Sequence, residues 1–230
     1  MAREQRIGAR LEHPAIARLY DAGVDERGRP YIAMEYIGGV SIDLFVQQQR
    51  LDVPATLHLM LQVVRAVAYA HCRLVVHRDL KPSNVIVSAD GQVHLLDFGI
   101  ATLLQESAEN ATQDRLTLEH GLTMTPAYAS PEQIRGDTVT VQSDVYGLGV
   151  LLYELLAGSL PHKVQRPGMA ALQAAVAMGD PDPPSQKATD PQRARALRGD
   201  VDAIIGKSLK VELQERYPSA EAMAEDMAAV

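Results

Sequence analysis

The chain has 230 residues, 47% hydrophobic and 22% charged, with a formal net charge of −7. These proportions fit a globular domain with a sizeable core, and they exclude a disordered chain and a sequence-wide basic footprint for nucleic acid. A single cysteine, Cys72, excludes an internal disulfide, so a reducing, cytoplasmic setting is expected.

At the N-terminus, Met1-Ala2-Arg3-Glu4-Gln5-Arg6 has no apolar core, so no signal peptide is expected. Glu4, Ile7, Gly8 and Leu11 share one face at spacings of three and four, which predicts a helix over 2–12. His13-Pro14 ends it, because proline disfavours helix in the residue before it. Short strands are predicted over 16–20 and 30–36, separated by the turn signal Asp25-Glu26-Arg27-Gly28. A helix over 55–71 carries Leu59, Leu61, Val63, Val64, Val67 and Ala70 nearly all round, so it is expected to be buried.

Next comes a predicted hairpin of 85–87 and 93–96. Asp90-Gly91 reads as a two-residue turn. That turn makes paired residue numbers sum to 181 and sets Asn84 opposite Asp97, about 5 Å away. An amide oxygen and a carboxylate together suit a hard cation such as Mg²⁺. The longest apolar run, Val145 to Ala157, contains Glu154 and is too short to span a bilayer. It reads as a second buried helix, 143–157, and no membrane segment is expected. Further helices are predicted over 168–178, 200–210 and 218–229, with the proline-rich 181–191 as a loop.

His77-Arg78-Asp79-Leu80-Lys81-Pro82-Ser83-Asn84 precedes the hairpin and Asp97-Phe98-Gly99 follows it. In these strings the chain resembles the serine/threonine protein kinase family, in the family's order over nearly the whole chain. The resemblance implies an α+β fold. Residues 1–36 would be a remnant of the N-terminal lobe, with the Glu4 helix and two strands, and 37–230 the mostly helical C-terminal lobe. It implies transfer of the γ-phosphate of ATP to a Ser or Thr hydroxyl of a protein substrate, with Mg²⁺. Asp79 matches the catalytic base, and Asn84 and Asp97 match the metal ligands. Lys81 matches the lysine near the transferred phosphate, and Thr125 the residue that positions Asp79 and Lys81. Glu4 matches the partner of the ATP-binding lysine. Met34, Glu35 and Ile37 match the gatekeeper and hinge, and Ile86 the floor under the adenine. His77 is expected to pack under Phe98.

Thr125-Pro126-Ala127-Tyr128-Ala129-Ser130-Pro131-Glu132 resembles the substrate-docking turn that closes the activation loop, with Ser130 where alanine is commonest. Arg78 matches an arginine that receives an activation-loop phosphate, and Thr112, Thr117 and Thr123 are candidate acceptors. Asp144 is expected to brace the catalytic loop, and Glu132 and Arg216 to form a buried ion pair. Tyr128 to Gln133 and Leu197 to Asp202 are similar to bacterial members of the family.

Two features depart from the pattern. Only three residues precede Glu4, so the glycine-rich loop and strand lysine of the family have no counterpart here. Gly8 stands where a leucine usually stacks on Phe98. The resemblance therefore leaves two readings: an ATP-dependent kinase whose activity is weak in this stretch alone, or a non-catalytic pseudokinase that binds a partner. Strands without a covering sheet would offer such a partner an edge.

Overall fold

The computed structural model describes residues 11–25, 29–98, 126–162, 169–177 and 179–230. The predicted helix with Glu4 and Gly8, and the segment holding Gly99, Thr112, Thr117, Thr123 and Thr125, lie outside the described residues.

After the His13-Pro14 turn the chain does not enter one strand over 16–20. Ile16 instead bridges to Leu95, through Ala17 N–H on the Leu95 carbonyl and Leu95 N–H on the Ala15 carbonyl, each 2.9 Å. The chain then bends into a separate antiparallel pair, β1 (Leu19–Val24) and β2 (Pro30–Met34), with a register irregularity between Leu19 and Asp21. The strand thus runs four residues past its predicted end, up to the turn where Asp25 N–H meets the Arg29 carbonyl at 2.8 Å. Asp21 and Gly23 are poor strand formers, but pairing with β2 holds them.

A three-stranded sheet follows, in the order β3 (Val40–Ser41), β4 (Val85–Val87), β5 (Val93–Leu95). Gly39 admits β3 to this sheet, since a Cβ there would lie 2.3 Å from the Val87 carbonyl oxygen. The β4–β5 register corrects the expected one. Val85 pairs with Leu95, Ile86 with His94 and Val87 with Val93, so paired numbers sum to 180. The turn is longer by one residue. Gly91, at φ +80°, donates to Ser88 O, and Ser88 N–H closes on Gln92 O. This is a turn followed by a left-handed glycine. Asn84 therefore faces Leu96, whose N–H donates to its carbonyl at 2.9 Å, and not Asp97.

The remainder is helical. α1 (Ile42–Gln49), unpredicted, seats Ile42 and Val46 in the core. α2 (Val53–His71) starts two residues earlier than periodicity suggests, because Asp52 caps it by accepting from Ala55 N–H and Pro54 suits the first turn. α2 is long and apolar enough to cross a bilayer, but most of it is buried inside the fold. The later helices are α3 (Pro131–Arg135), α4 (Val141–Ala157), α5 (Met169–Ala177), α6 (Pro184–Lys187), α7 (Pro191–Leu197), α8 (Asp200–Ser208) and α9 (Ala220–Ala228). α6 and α7 replace part of the predicted 181–191 loop. Their prolines occupy first-turn positions, and Asp190 caps α7.

The core lies between α2, α4, α8 and α9, with Met60, Val63, Val67, Leu148, Leu151, Leu152 and Ile205 fully buried. α8 approaches α4 closely at Gly149, where a Cβ would come within 2.7 Å of Ser208 Cβ. Arg193 of α7 donates to the Leu155 and Leu156 carbonyls that α4 leaves free at its C-terminus, and to Leu51 O.

Candidate active site

The segment between α2 and the one-turn 3₁₀ helix Pro82–Asn84 has no regular structure, so its buried N–H groups need partners from elsewhere. Asp144, buried in the first turn of α4, supplies them. Its Oδ2 accepts from His77 N–H at 2.7 Å and from His71 Nε2 at 2.8 Å, and its Oδ1 accepts from Arg78 N–H at 2.8 Å. Gly147, one turn along, lets Leu80 pack down on α4: a Cβ there would lie 3.3 Å from Leu80 Cβ. Arg78 is thereby held at φ +72°, a conformation that costs a non-glycine residue about 1–3 kcal/mol.

That constraint presents Asp79. Its carboxylate is partly exposed, with Lys81 Nζ 2.6 Å from Oδ2. Asn84, buried on the 3₁₀ turn, donates from Nδ2 to the Asp79 carbonyl at 2.8 Å and to Oδ2 at 3.2 Å. With the amide nitrogen committed, the amide oxygen is the Asn84 atom available as a ligand. The hairpin register does not set Asp97 opposite Asn84. Strand alternation would turn it away from Asn84, but Asp97 is at φ +60°, which breaks the alternation. Burial pushes its carboxyl above the ordinary range. His77 and Lys81 oppose that shift and Asp79 adds to it, so Asp97 lies within electrostatic reach of all three.

His77 is packed as expected, its ring 4.6 Å from that of Phe98. Nε2 donates to the Leu96 carbonyl at 2.9 Å, which leaves Nδ1 to accept from Asp79 N–H at 3.4 Å. Burial holds its pKa below the usual histidine value, and does the same to His13 and His162. For such groups the unfolded chain binds protons that the folded one does not. Their contribution to stability is complete above the unfolded pKa of about 6.5 and declines as pH falls through it. Urea unfolding is therefore expected to show lower stability at about pH 5.5 than at about pH 7.5. A His77→Asn chain should show a smaller drop, and equal stability of the parent chain at both pH values would refute the assignment.

Of the predicted nucleotide contacts, Met34, Glu35 and Ile37 lie along the run from β2 to β3, and Ile86 lies in β4. Met34 ends β2, half-buried, and Ile37 is half-buried in the link. Glu35 is tied to Arg18, just before β1: its N–H donates to Arg18 O at 2.8 Å and its carboxylate accepts from Arg18 N–H at 3.2 Å. Ile86 lies in the middle of β4, between Ser41 and His94.

The docking turn continues from the 3₁₀ turn Pro126–Tyr128 into α3. Tyr128 OH donates to Glu154 Oε2 at 2.6 Å, and burial raises both pKa values. Glu132 pairs with Arg216 at 2.9 Å in full burial. Ser130 caps α3 in a reciprocal box with Gln133, whose Nε2 also donates to Arg78 O at 2.8 Å. The Ser-Pro-x-Gln spacing signalled this cap in the sequence. No sequence signal pointed to His71 on Asp144, or to Gln133 on Arg78, which are 55 residues apart.

The sequence matches the protein kinase domain family over residues 1–227. It is 36% identical over 232 residues to the serine/threonine-protein kinase PknB of Mycobacterium tuberculosis, covering 99% of this chain and 35% of that protein. It is 35% identical over 226 residues to the serine/threonine-protein kinase PrkC of Bacillus subtilis, covering 98% of this chain and 32% of that protein. The chain thus spans about a third of the length of these relatives.

Proposed function

This chain belongs to the protein kinase family, and on that premise we propose that it transfers the γ-phosphate of ATP to serine or threonine hydroxyls of a protein substrate. The observation that supports this reading is the meeting of Asp79, Lys81 and Asn84 around one carboxylate, with Asp97 in electrostatic reach. Asp79 would take the hydroxyl proton as the substrate oxygen bonds to the γ-phosphorus and the bond from that phosphorus to the ADP oxygen breaks. Lys81, beside Asp79, places positive charge near the moving phosphoryl group.

The residues present fit a magnesium ion. Asn84 and Asp97 supply hard oxygen donors, and a cation would relieve the destabilised Asp97 carboxylate. Among the described residues no cluster of three or more acidic, histidine or cysteine side chains could hold a metal. Magnesium is commonly held by one or two carboxylates plus substrate phosphates, so two protein ligands suffice. When bound, it would supply positive charge against the phosphates.

In this reading Met34, Glu35, Ile37 and Ile86 surround the adenine. Glu4 orients a lysine against the phosphates, and Thr125 positions Asp79 and Lys81. Residues 1–36 belong to the N-terminal lobe and 37–230 to the C-terminal lobe, in a cytoplasmic domain. The test is Mg²⁺-dependent phosphorylation of serine and threonine peptides, by the 230-residue chain and by the same chain extended with a glycine-rich loop and strand lysine. Asp97→Ala should abolish the Mg²⁺-dependent transfer. Undiminished transfer by that variant would remove Asp97 from the site.

A further inference from the structure

Arg78 carries a backbone conformation it would not choose, and two different helices hold it there. On the amide side, Asp144 of α4 accepts its N–H. On the carbonyl side, Gln133 of α3 donates from Nε2 at 2.8 Å. The Arg78 carbonyl and the Asp79 N–H belong to one peptide plane, and a peptide plane is rigid. Whatever fixes the carbonyl also fixes the N–H directed at His77 Nδ1 and the Cα that bears the Asp79 carboxylate.

Gln133 is equally tied to the docking turn. Its Oε1 accepts from Ser130 N–H at 2.9 Å, and Ser130 Oγ accepts from Gln133 N–H at 3.4 Å. The amide therefore uses its acceptor on the docking turn and its donor on the catalytic loop, and a flipped amide would oppose like groups at both ends. Ser130 is fully buried, so this cap is part of the interior.

We propose that Gln133 is a positioning residue that couples the folding of the docking turn 126–135 to the peptide plane carrying Asp79. The proposal rests on the reading of Asp79 as the base. If the docking turn is not formed, Gln133 is withdrawn, and the left-handed Arg78 is free to relax and carry Asp79 out of place. The chain would then be competent for transfer only when the surface that receives the substrate is itself in order.

Gln133→Glu separates this role from capping. Glutamate keeps the acceptor for Ser130 N–H, and an acid in a first helical turn is favoured. It has no donor for Arg78 O and sets an oxygen against it. Hydrogen exchange in the 230-residue chain is expected to speed up several-fold at 77–80 in this variant, while 131–135 exchanges no faster. Ser130→Ala, which removes the hydroxyl cap and leaves the Gln133 side chain, should speed exchange at 131–135 and, through the coupling, at 77–80 as well. Gln133→Met, which keeps the length without polar atoms, should loosen 77–80 as the glutamate does and serves if the first variant fails to fold. In a chain that transfers phosphate, Gln133→Glu should lower kcat by about ten- to a hundredfold with KM for ATP unchanged. Unchanged exchange at 77–80 in Gln133→Glu or Gln133→Met would overturn the proposal. Absence of transfer by the unsubstituted chain would count against the kinase reading, and the exchange comparison would still decide the coupling.

Discussion

Asp79→Ala is expected to lower phosphate transfer by about 10²–10⁴-fold, the usual contribution of one positioned acid–base group. The loss should fall on kcat, because Asp79 is assigned to the proton of the attacking hydroxyl and not to nucleotide binding. Alanine also leaves Lys81 without its partner at 2.6 Å and removes one of the two acceptors of Asn84 Nδ2. Some loosening of the loop is therefore part of the effect. Asp79→Asn isolates the chemistry: it keeps the shape, and its amide oxygen in the place of Oδ2 still accepts from Lys81 and Asn84, but it cannot take up the proton. Both variants should keep the parent's thermal midpoint within a few degrees, since Asp79 is partly exposed and outside the core. The measurement is steady-state phosphorylation of a serine peptide by the extended chain. Turnover within about threefold of the parent in Asp79→Asn would sink the role of base.

The largest expected effect on stability lies away from the chemistry. Arg216→Ala and Glu132→Ala should each destabilise the fold by about 3–5 kcal/mol, because either one strands the other's charge in the interior. Both side chains are almost wholly inaccessible. Arg216 spends all five of its N–H donors: two on Glu132, and one each on the carbonyls of Lys210, Gln142 and Val211. It thus ties α3 and the start of α4 to the segment after α8. Burial pushes the Glu132 carboxyl up, but hydrogen bonds from Arg216 and Ser143, with the Arg216 charge, outweigh it and hold the pKa below the ordinary range. The stability from that shift is complete above the unfolded carboxylate pKa and disappears as pH falls through the folded value. Urea midpoints of the two single variants and the double variant are the check, with the double costing less than the sum of the singles. A cost below about 1 kcal/mol for Arg216→Ala would class the pair with exposed surface bridges.

Much of this was legible along the chain. The string His77 to Asn84 and Asp97-Phe98-Gly99 are local motifs, and the two buried helices announced themselves by near-continuous apolar faces, which survive any tertiary arrangement. Caps were legible in principle as well: Asp52-Val53-Pro54, Asp190-Pro191 and Ser130-Pro131-Glu132-Gln133 each carry an N-terminal signature, and the helices they start are where the structure places them. Short elements were harder. α1 was missed because its last turn is Gln47-Gln48-Gln49, and strand 16–20 was split because residues 15–17 find a partner in β5, a choice made by packing and not by propensity.

By itself, the sequence determined which groups stand near the proposed chemistry and which helices fill the core, because residue identity, periodicity and caps are properties of neighbours along the chain. Only the tertiary structure decided how those groups meet. A single added residue in the 88–92 turn moved the hairpin register and took Asp97 from its expected place opposite Asn84. Left-handed backbone at Arg78 and Asp97 then re-aimed the loop, and Asp144 and Gln133 hold Arg78 from two other helices. No local signal specifies such contacts, since a residue adopts a strained conformation only where distant partners outweigh its cost.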